Sequence, residues 1–483
     1  MRYLDSDPRT ARHGAAYTRG VRSWIVAVGL LAVLAIHAFA DPRPPDHTWG
    51  VVGVVALQPA TRWIVLVLAS LLTLPPVSRT GVRLARPAAR SVAHALTRVP
   101  TWLWIALLVA VAWALRCRVL YGDAEILTDG IDRGLWTYYK EPLGFFAIAV
   151  AYRVLHAALG VGPATAIAAV NTLAGALYWA GVARVARSRP FAPGYGWLAW
   201  VLLGTAGTVG TFCGLIEKRG LLVAGTLWTL VLLLEAAKER RRSLAAAAAV
   251  LGLTVATHLA AVWLGPAAVA AWYVRHREAL RGPRGNDGAR AAWREAFHCL
   301  WVSLLPFGVV AAGMAVAGMR LSGFSLETFG GGDGRMFVPL THLETAYERF
   351  TMFSSAHFTA VANELLLLAP VGITLAALLP LATRRGERQG DPGTPVLLLA
   401  CAGVLAFVFA YNPDMMVADP SLGVLNEWDL FSLAGVPLTL LGMWSLCVAV
   451  VPGEERDALG LSASVVSVVH GIPWLLLNAG IRL

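Results

Sequence analysis

Apolar runs of roughly 15–22 residues recur along the chain, from 24–40 to 461–480. A helix of that length crosses the ~30 Å of hydrocarbon in a bilayer. In lipid each backbone N–H and C=O must be satisfied within the protein, which leaves only helices and closed barrels as spanning structures. A barrel would show alternating strands of about ten residues, and no such alternation occurs. Charged residues make up 14% of the 483 and hydrophobic ones 57%, whereas soluble domains carry about 25% charged residues. The predicted fold class is an all-α integral membrane protein, a polytopic helical bundle.

The net charge of +11 does not point to nucleic acid. The arginines sit in short clusters between apolar runs, the distribution of cytoplasmic loops under the positive-inside rule. The five cysteines, Cys117, Cys213, Cys299, Cys401 and Cys447, are scattered and odd in number, and match neither a zinc pattern nor a disulfide framework. Lysine occurs only at Lys140, Lys218 and Lys238, so each stands out in an arginine-rich chain of bacterial character. The basic N-terminus before run 24–40 imitates a secretory signal, but its length and the spans that follow favour an uncleaved first helix.

The clusters Arg79–Arg98, Arg184–Arg189 and the "KERRR" at 238–242 set the threading. All fall on the cytoplasmic side if the apolar segment 143–159 lies along the outer interface, where Tyr152, Arg153 and His156 interrupt its apolar face. Spans are then expected near 24–40, 59–77, 101–116, 163–183, 193–213, 220–236, 244–258, 260–274, 298–318, 361–382, 395–411, 430–451 and 461–480, roughly thirteen in all. Three parts are expected: 1–100, an N-terminal hairpin with a basic cytoplasmic loop; 101–300, a catalytic module; and 301–483, a C-terminal module with a long outer loop at 320–360.

This threading gathers charged motifs at the outer face. The first is "YGDAEILTDGIDRGLWTYYKEPLGFF" at 121–146, in which Asp129 and Asp132 read as solvated loop charges. The others are "CGLIEKRG" at 213–220, "ATHLA" at 256–260, and "NPDMMVADPSLGVLNEWDLF" at 412–431. An early outer acidic motif, an interfacial helix opening on Lys-x-Pro-Leu, and a helical hairpin with an acid at its outer turn occur in that order. The order resembles the GT-C superfamily of polyprenyl-phosphate-sugar-dependent glycosyltransferases, in particular protein O-mannosyltransferases and lipid A aminoarabinose transferases. The resemblance covers about residues 118–275. Ala124 separates the two acids of the first motif, Glu141 replaces a proline of the second, and Glu217-Lys218-Arg219 stands where the family commonly has Asp after Arg.

The resemblance implies an inverting glycosyltransferase. It would move a sugar from a polyprenyl-phosphate donor to a lipid, glycan or protein acceptor, with its site on the outer side of a bacterial inner membrane. Asp123 would be the catalytic carboxylate and Glu217 its partner. Lys140, Lys218 and Arg219 would meet the donor phosphate, Glu125 would hold sugar hydroxyls or a neighbouring cation, and His258 would add a phosphate or sugar contact. Asn412, Asp414, Glu427, Trp428 and Asp429 have the hydrogen-bonding and flat-ring chemistry of carbohydrate recognition. The sequence does not require a metal; relatives differ on metal dependence, and His342, Glu344 and His357 match no compact zinc motif.

Each assignment has a plainer competitor. Lys140 could snorkel to lipid headgroups, Glu217 could pair with Arg219, His258 could be a packed residue, and 412–431 could be an acidic loop with an interfacial tryptophan. The competing function is a transporter or lipid flippase, although charges gathered at one face and no visible duplication favour the enzyme. A cysteine placed at Val150 should react with a membrane-impermeant maleimide added from outside; labelling from the cytoplasmic side alone would contradict the threading.

Overall fold

The computed structural model describes residues 8–40, 49–85, 99–118, 124–136, 141–188, 190–191, 194–239, 243–281, 287–316, 337–343, 350–382, 391–411 and 424–481. Among these the chain is all-α, with no strand and a single isolated bridge between Phe337 and Tyr411. Among the described residues eight helices are long and apolar enough to cross a membrane, or up to ten if two bent pairs count as spans. Several long apolar helices make this a membrane protein.

Seven of the eight fall on expected spans, and the eighth, Pro142–Leu159, is the segment expected along the interface; the remaining expected spans are short, broken or bent. Proline explains the bent pairs. Pro370 lacks an N–H and disfavours helical geometry at the residue before it, and Ser355–Leu368 turns by 99° into Pro370–Leu381. Pro59–Thr73 turns by 86° into Pro75–Ala85 in the same way. The run at 193–213 forms a nine-residue helix, Gly196–Gly204, and a separate 3-10 turn, Gly207–Phe212. Leu244–Thr257 has 14 residues, and the 3-10 turn Leu259–Leu264 separates it from Gly265–Arg281. Such irregular backbone at membrane depth is tolerated where protein surrounds it.

Gly220–Lys238 is a central helix, packed against Pro163–Arg187, Leu244–Thr257, Gly265–Arg281 and Gly393–Ala410. Its 19 residues measure roughly 28 Å at 1.5 Å per residue, and its two ends differ in chemistry. At the Lys238 end, Arg184 makes a two-pronged pair with Glu235 at 2.6 and 2.7 Å. Lys238 there faces Asp391 at 3.5 Å and lies over the Trp444 ring. Arg456 donates to the carbonyls of Cys447 and Val450. The Gly220 end holds the helix breaks near 205–206, 258–264 and 424–434.

The outer layer is different. Asp287–Val316 is strongly apolar and packs one side on Leu244–Thr257, yet only 6% of its most apolar stretch is buried, so the rest of its apolar surface faces outward, as on a helix that borders lipid. Inside, a polar tie joins distant helices. His37 Nε2 lies 2.9 Å from His470 Nδ1, while the other ring nitrogens face the carbonyls of Val33 and Leu367, each at 2.8 Å. Arg62 donates to the carbonyls of His37, Ala38 and Ala40 at the end of Pro8–Phe39.

Helix Pro370–Ala382 crosses Gly435–Ala449 at close range. A methyl group on Gly442 would come within 2.3 Å of the Gly372 carbonyl oxygen. Close backbone approach through small residues is how helices associate in lipid, where apolar burial gives little drive. Gly442→Ala should therefore lower the thermal midpoint in detergent by several degrees, and an unchanged midpoint would show that the crossing adapts freely.

Candidate functional site

Glu141, Lys218, Arg219, His258 and Asp429 come from four separated stretches of sequence and meet at the Gly220 end of the bundle. None is more than 5% exposed. Lys218 Nζ lies 3.3 Å from Glu141 Oε2. Arg219 donates from NH1 to Glu141 Oε1 in a short contact, and from Nε to Asp429 Oδ2 at 3.1 Å. His258 Nε2 lies 3.1 Å from Glu141 Oε1. Charges this deeply buried are tolerated only when paired and hydrogen-bonded, and here each acid faces a base.

The local chain explains why these groups converge. Glu141 is the N-cap of Pro142–Leu159, whose proline at the first turn suits a helix start. Lys218 and Arg219 lie on a short irregular segment before Gly220–Lys238. Asn171, from within Pro163–Arg187, clamps that segment. Its amide donates to the carbonyls of Leu215 and Glu217 at 2.6 and 2.5 Å, and its oxygen accepts from the Gly220 N–H at 3.0 Å. Only glycine fits at 220, since a Cβ there would sit 2.4 Å from the Asn171 oxygen. Asn171 thus satisfies three buried backbone groups that helical bonding leaves over.

His258 ends Leu244–Thr257 in an extended conformation. Its Nδ1 accepts the Ala260 N–H at 2.9 Å, so Nδ1 carries no proton, and Nε2–H must be the donor to Glu141. The imidazole is then neutral. Burial, followed by the nearby Arg219 charge, lowers the His258 pKa to about 4, in agreement with that tautomer. Burial alone would raise the Glu141 carboxyl. Arg219, Lys218 and His258 together outweigh it and hold Glu141 well below the ordinary carboxylate range. The facing acids Glu141, Asp429 and Glu217 hold Arg219 well above its own ordinary value against burial.

Of the residues singled out from sequence, Lys218, Arg219, His258 and Asp429 are brought together. Glu217 is buried beside them, with its carboxylate acting on Arg219. Glu125 is exposed in the first turn of Ala124–Asp132. That helix packs its Leu127 and Ile131 face on Phe145, Ile148 and Ile167, while Asp129 pairs with exposed Arg133 and Asp132 accepts from the Tyr152 hydroxyl. Trp428 is fully buried, edge-on to Trp474 with ring centres 5.3 Å apart. Asp123, Lys140, Asn412, Asp414 and Glu344 lie outside the described residues, and for Glu427 only the backbone, in turn Val424–Ala434, is described.

Three residues of the site escaped the sequence reading. Glu141 is the hub of the cluster, and its signal was an acid beside a rare lysine at a helix start. Asn171 is a lone amide in an apolar run. Glu364 interrupts another apolar run. It is 2% exposed, has Asp429 as its charged neighbour, and neither carboxylate oxygen has a hydrogen-bond partner among the described residues. It lines a cavity of about 10 Å³ with His357, Tyr411 and Phe431, room for about one water. Among the described residues no three His, Cys, Asp or Glu side chains are grouped to hold a metal ion.

Comparison of the chain with protein-family models, with curated proteins and with solved structures finds no match in any of the three. The functional reading therefore rests on the residues themselves.

The neutral His258 has a measurable consequence. As pH falls, the unfolded chain binds a proton at this imidazole near 6.5, while the folded chain resists until about 4. The unfolded state holds more protons in that window, so this contribution to stability is complete above pH 6.5 and is lost on the way down to 4. His258→Gln keeps a donor for Glu141 but cannot titrate. Its thermal midpoint should fall less steeply between pH 7 and 4.5 than that of the parent; parallel curves would mean that folding does not shift the titration of His258.

Proposed function

We propose that the chain is a GT-C-type glycosyltransferase of a bacterial inner membrane, taking its sugar from a polyprenyl-phosphate donor on the outer side and inverting the anomeric centre. The observation that carries this reading is the buried ionic cluster at one end of the helices. In a chain with 14% charged residues, five ionisable side chains converge there from four stretches of sequence, at the opposite end of Gly220–Lys238 from the Arg184–Glu235 and Lys238–Asp391 pairs. That end also carries the breaks and turns through which a polar substrate could approach. The roughly thirteen-span threading, the interfacial placement of Pro142–Leu159 and the three-part division belong to the same proposal.

The chemistry needs two things of such a site. An acceptor hydroxyl oxygen attacks the anomeric carbon as the bond from that carbon to the phosphate oxygen breaks. The bonding electrons leave on the lipid phosphate, and the hydroxyl proton passes to a carboxylate. One displacement inverts the centre. The carboxylate is assigned to Asp123, which immediately precedes Ala124, with Glu217 as its buried partner. The developing phosphate charge is assigned to Lys140, next in sequence to Glu141, with Lys218, Arg219 and His258 as further contacts. Asn412, Asp414, Glu427 and Asp429 are proposed to bind sugar or acceptor hydroxyls; Trp428 would contribute by shaping the wall beneath them.

A second reading, a transporter or lipid flippase, draws on His37 and His470, an ionisable pair buried within spanning helices, where such residues commonly mark transport paths. The two readings separate in one assay. Purified protein in liposomes with a polyprenyl-phosphate sugar and cell-envelope acceptor should release lipid phosphate and form a glycosylated product, identified by mass spectrometry. Asp123→Asn should abolish that product, by at least a hundredfold, while expression and thermal midpoint stay near normal. Lipid movement across the bilayer without product would favour the transporter, and full turnover by the variant would remove Asp123 from its role.

A further inference from the structure

Three nitrogen donors converge on the single carboxylate of Glu141: Lys218 Nζ at 3.3 Å, Arg219 through its guanidinium, and His258 Nε2 at 3.1 Å. We propose that this is an oxyanion-binding nest whose present occupant, the Glu141 side chain, is an internal stand-in that a phosphate group displaces. The inference rests on the proposed function only in assigning that phosphate to a lipid.

The donors are held independently of their occupant. Asn171 clamps the segment that carries Lys218 and Arg219, Asp429 orients Arg219 from the far side, and the Ala260 N–H fixes the His258 ring. Preorganised, buried donors of this kind bind anions strongly, because charge-assisted hydrogen bonds gain strength away from water. Outside the nest the occupant has no comparable hold. Glu141 sits at the very start of Pro142–Leu159, and its side chain makes no capping bond to that helix. Apart from the three donors, no hydrogen bond or ion pair of its carboxylate is seen among the described residues. Rotation of one side chain therefore vacates the nest without dismantling it.

The charges fit the exchange. Lys218 and Arg219 bring two positive charges and His258 a neutral N–H donor; Asp429 and Glu217 act on Arg219 from outside the nest, and Glu141 returns one negative charge within it. A phosphodiester replaces that charge one for one and leaves the balance unchanged. A tetrahedral phosphate also presents more oxygens than a carboxylate, so Arg219 and His258, which share Glu141 Oε1, can each meet a separate acceptor. A purely structural salt bridge makes the opposite forecast: removing Glu141 would leave buried cations uncompensated and gain nothing for any ligand.

The test uses full-length protein in detergent with two probes, inorganic phosphate and dodecyl phosphate. Glu141→Gln should bind dodecyl phosphate at least tenfold more tightly than the parent, and its thermal midpoint, lowered in the absence of phosphate, should recover as the probe is added. Stronger recovery with dodecyl phosphate than with inorganic phosphate assigns the nest to a lipid-borne group; equal recovery assigns it to free phosphate. Should the glutamine variant not fold, Glu141→Asp keeps the charge but withdraws the carboxylate by one methylene, and it should show a smaller gain in the same direction. Folded variants with no gain in phosphate affinity would overturn the proposal. If they show none while the parent still transfers sugar, the stand-in fails and the transferase survives. If they gain affinity while the parent shows no sugar transfer, the nest stands and the transferase fails.

Discussion

Arg219 is held from two sides, by Glu141 at the head of one helix and by Asp429 in a turn 210 residues further on. A guanidinium cannot shed its proton in a protein, so once it is buried the surrounding chain must supply anions and acceptors. That obligation draws the 141, 217–219, 258 and 429 segments to one point. Asn171 and Gly220 are the fittings that allow the central helix to start immediately behind it. The rest of this end of the bundle is arranged around a charge that cannot be neutralised and must be surrounded.

Much of the class and some of the site were legible in the sequence, for reasons that can be stated. Apolar runs give spanning helices because lipid offers no alternative partner to the backbone. Lys218, Arg219, His258 and Asp429 stood out because ionisable groups are rare in such a chain and their motifs fell on one side of the threading. The spans expected at 193–213 and 361–382 are broken by turns, because hydropathy counts side chains and is blind to where the backbone turns. Pro370 was visible in the second run, but a proline within an apolar segment is compatible with either a kink or a near right angle, and packing decides which.

Glu141 shows the other limit. In the sequence it is a departure from a familiar pattern, a residue standing in a proline's place, and nothing adjacent marks it as a hub. Its role depends on meeting Lys218, Arg219 and His258, which lie 77 to 117 positions away in the chain. No local spacing encodes such a meeting. Trp428 is the converse case: an aromatic beside two acids suggests a sugar platform, whereas its ring is packed against Trp474 in the interior. The acid next to it, Asp429, carries the polar connection.

The tie between His37, His470 and the Leu367 carbonyl bears on how the molecule is made. Leu367 lies in the last turn before the bend at Pro370, where carbonyls run out of helical N–H partners, and the ring of His470 supplies one. His470 is translated 103 residues after that carbonyl and 433 after His37. Until Glu454–Asn478 is made, His37 in Pro8–Phe39 lacks its ring partner, and over the last 103 residues before His470 the Leu367 carbonyl does too. The polar tie closes only when that helix packs in.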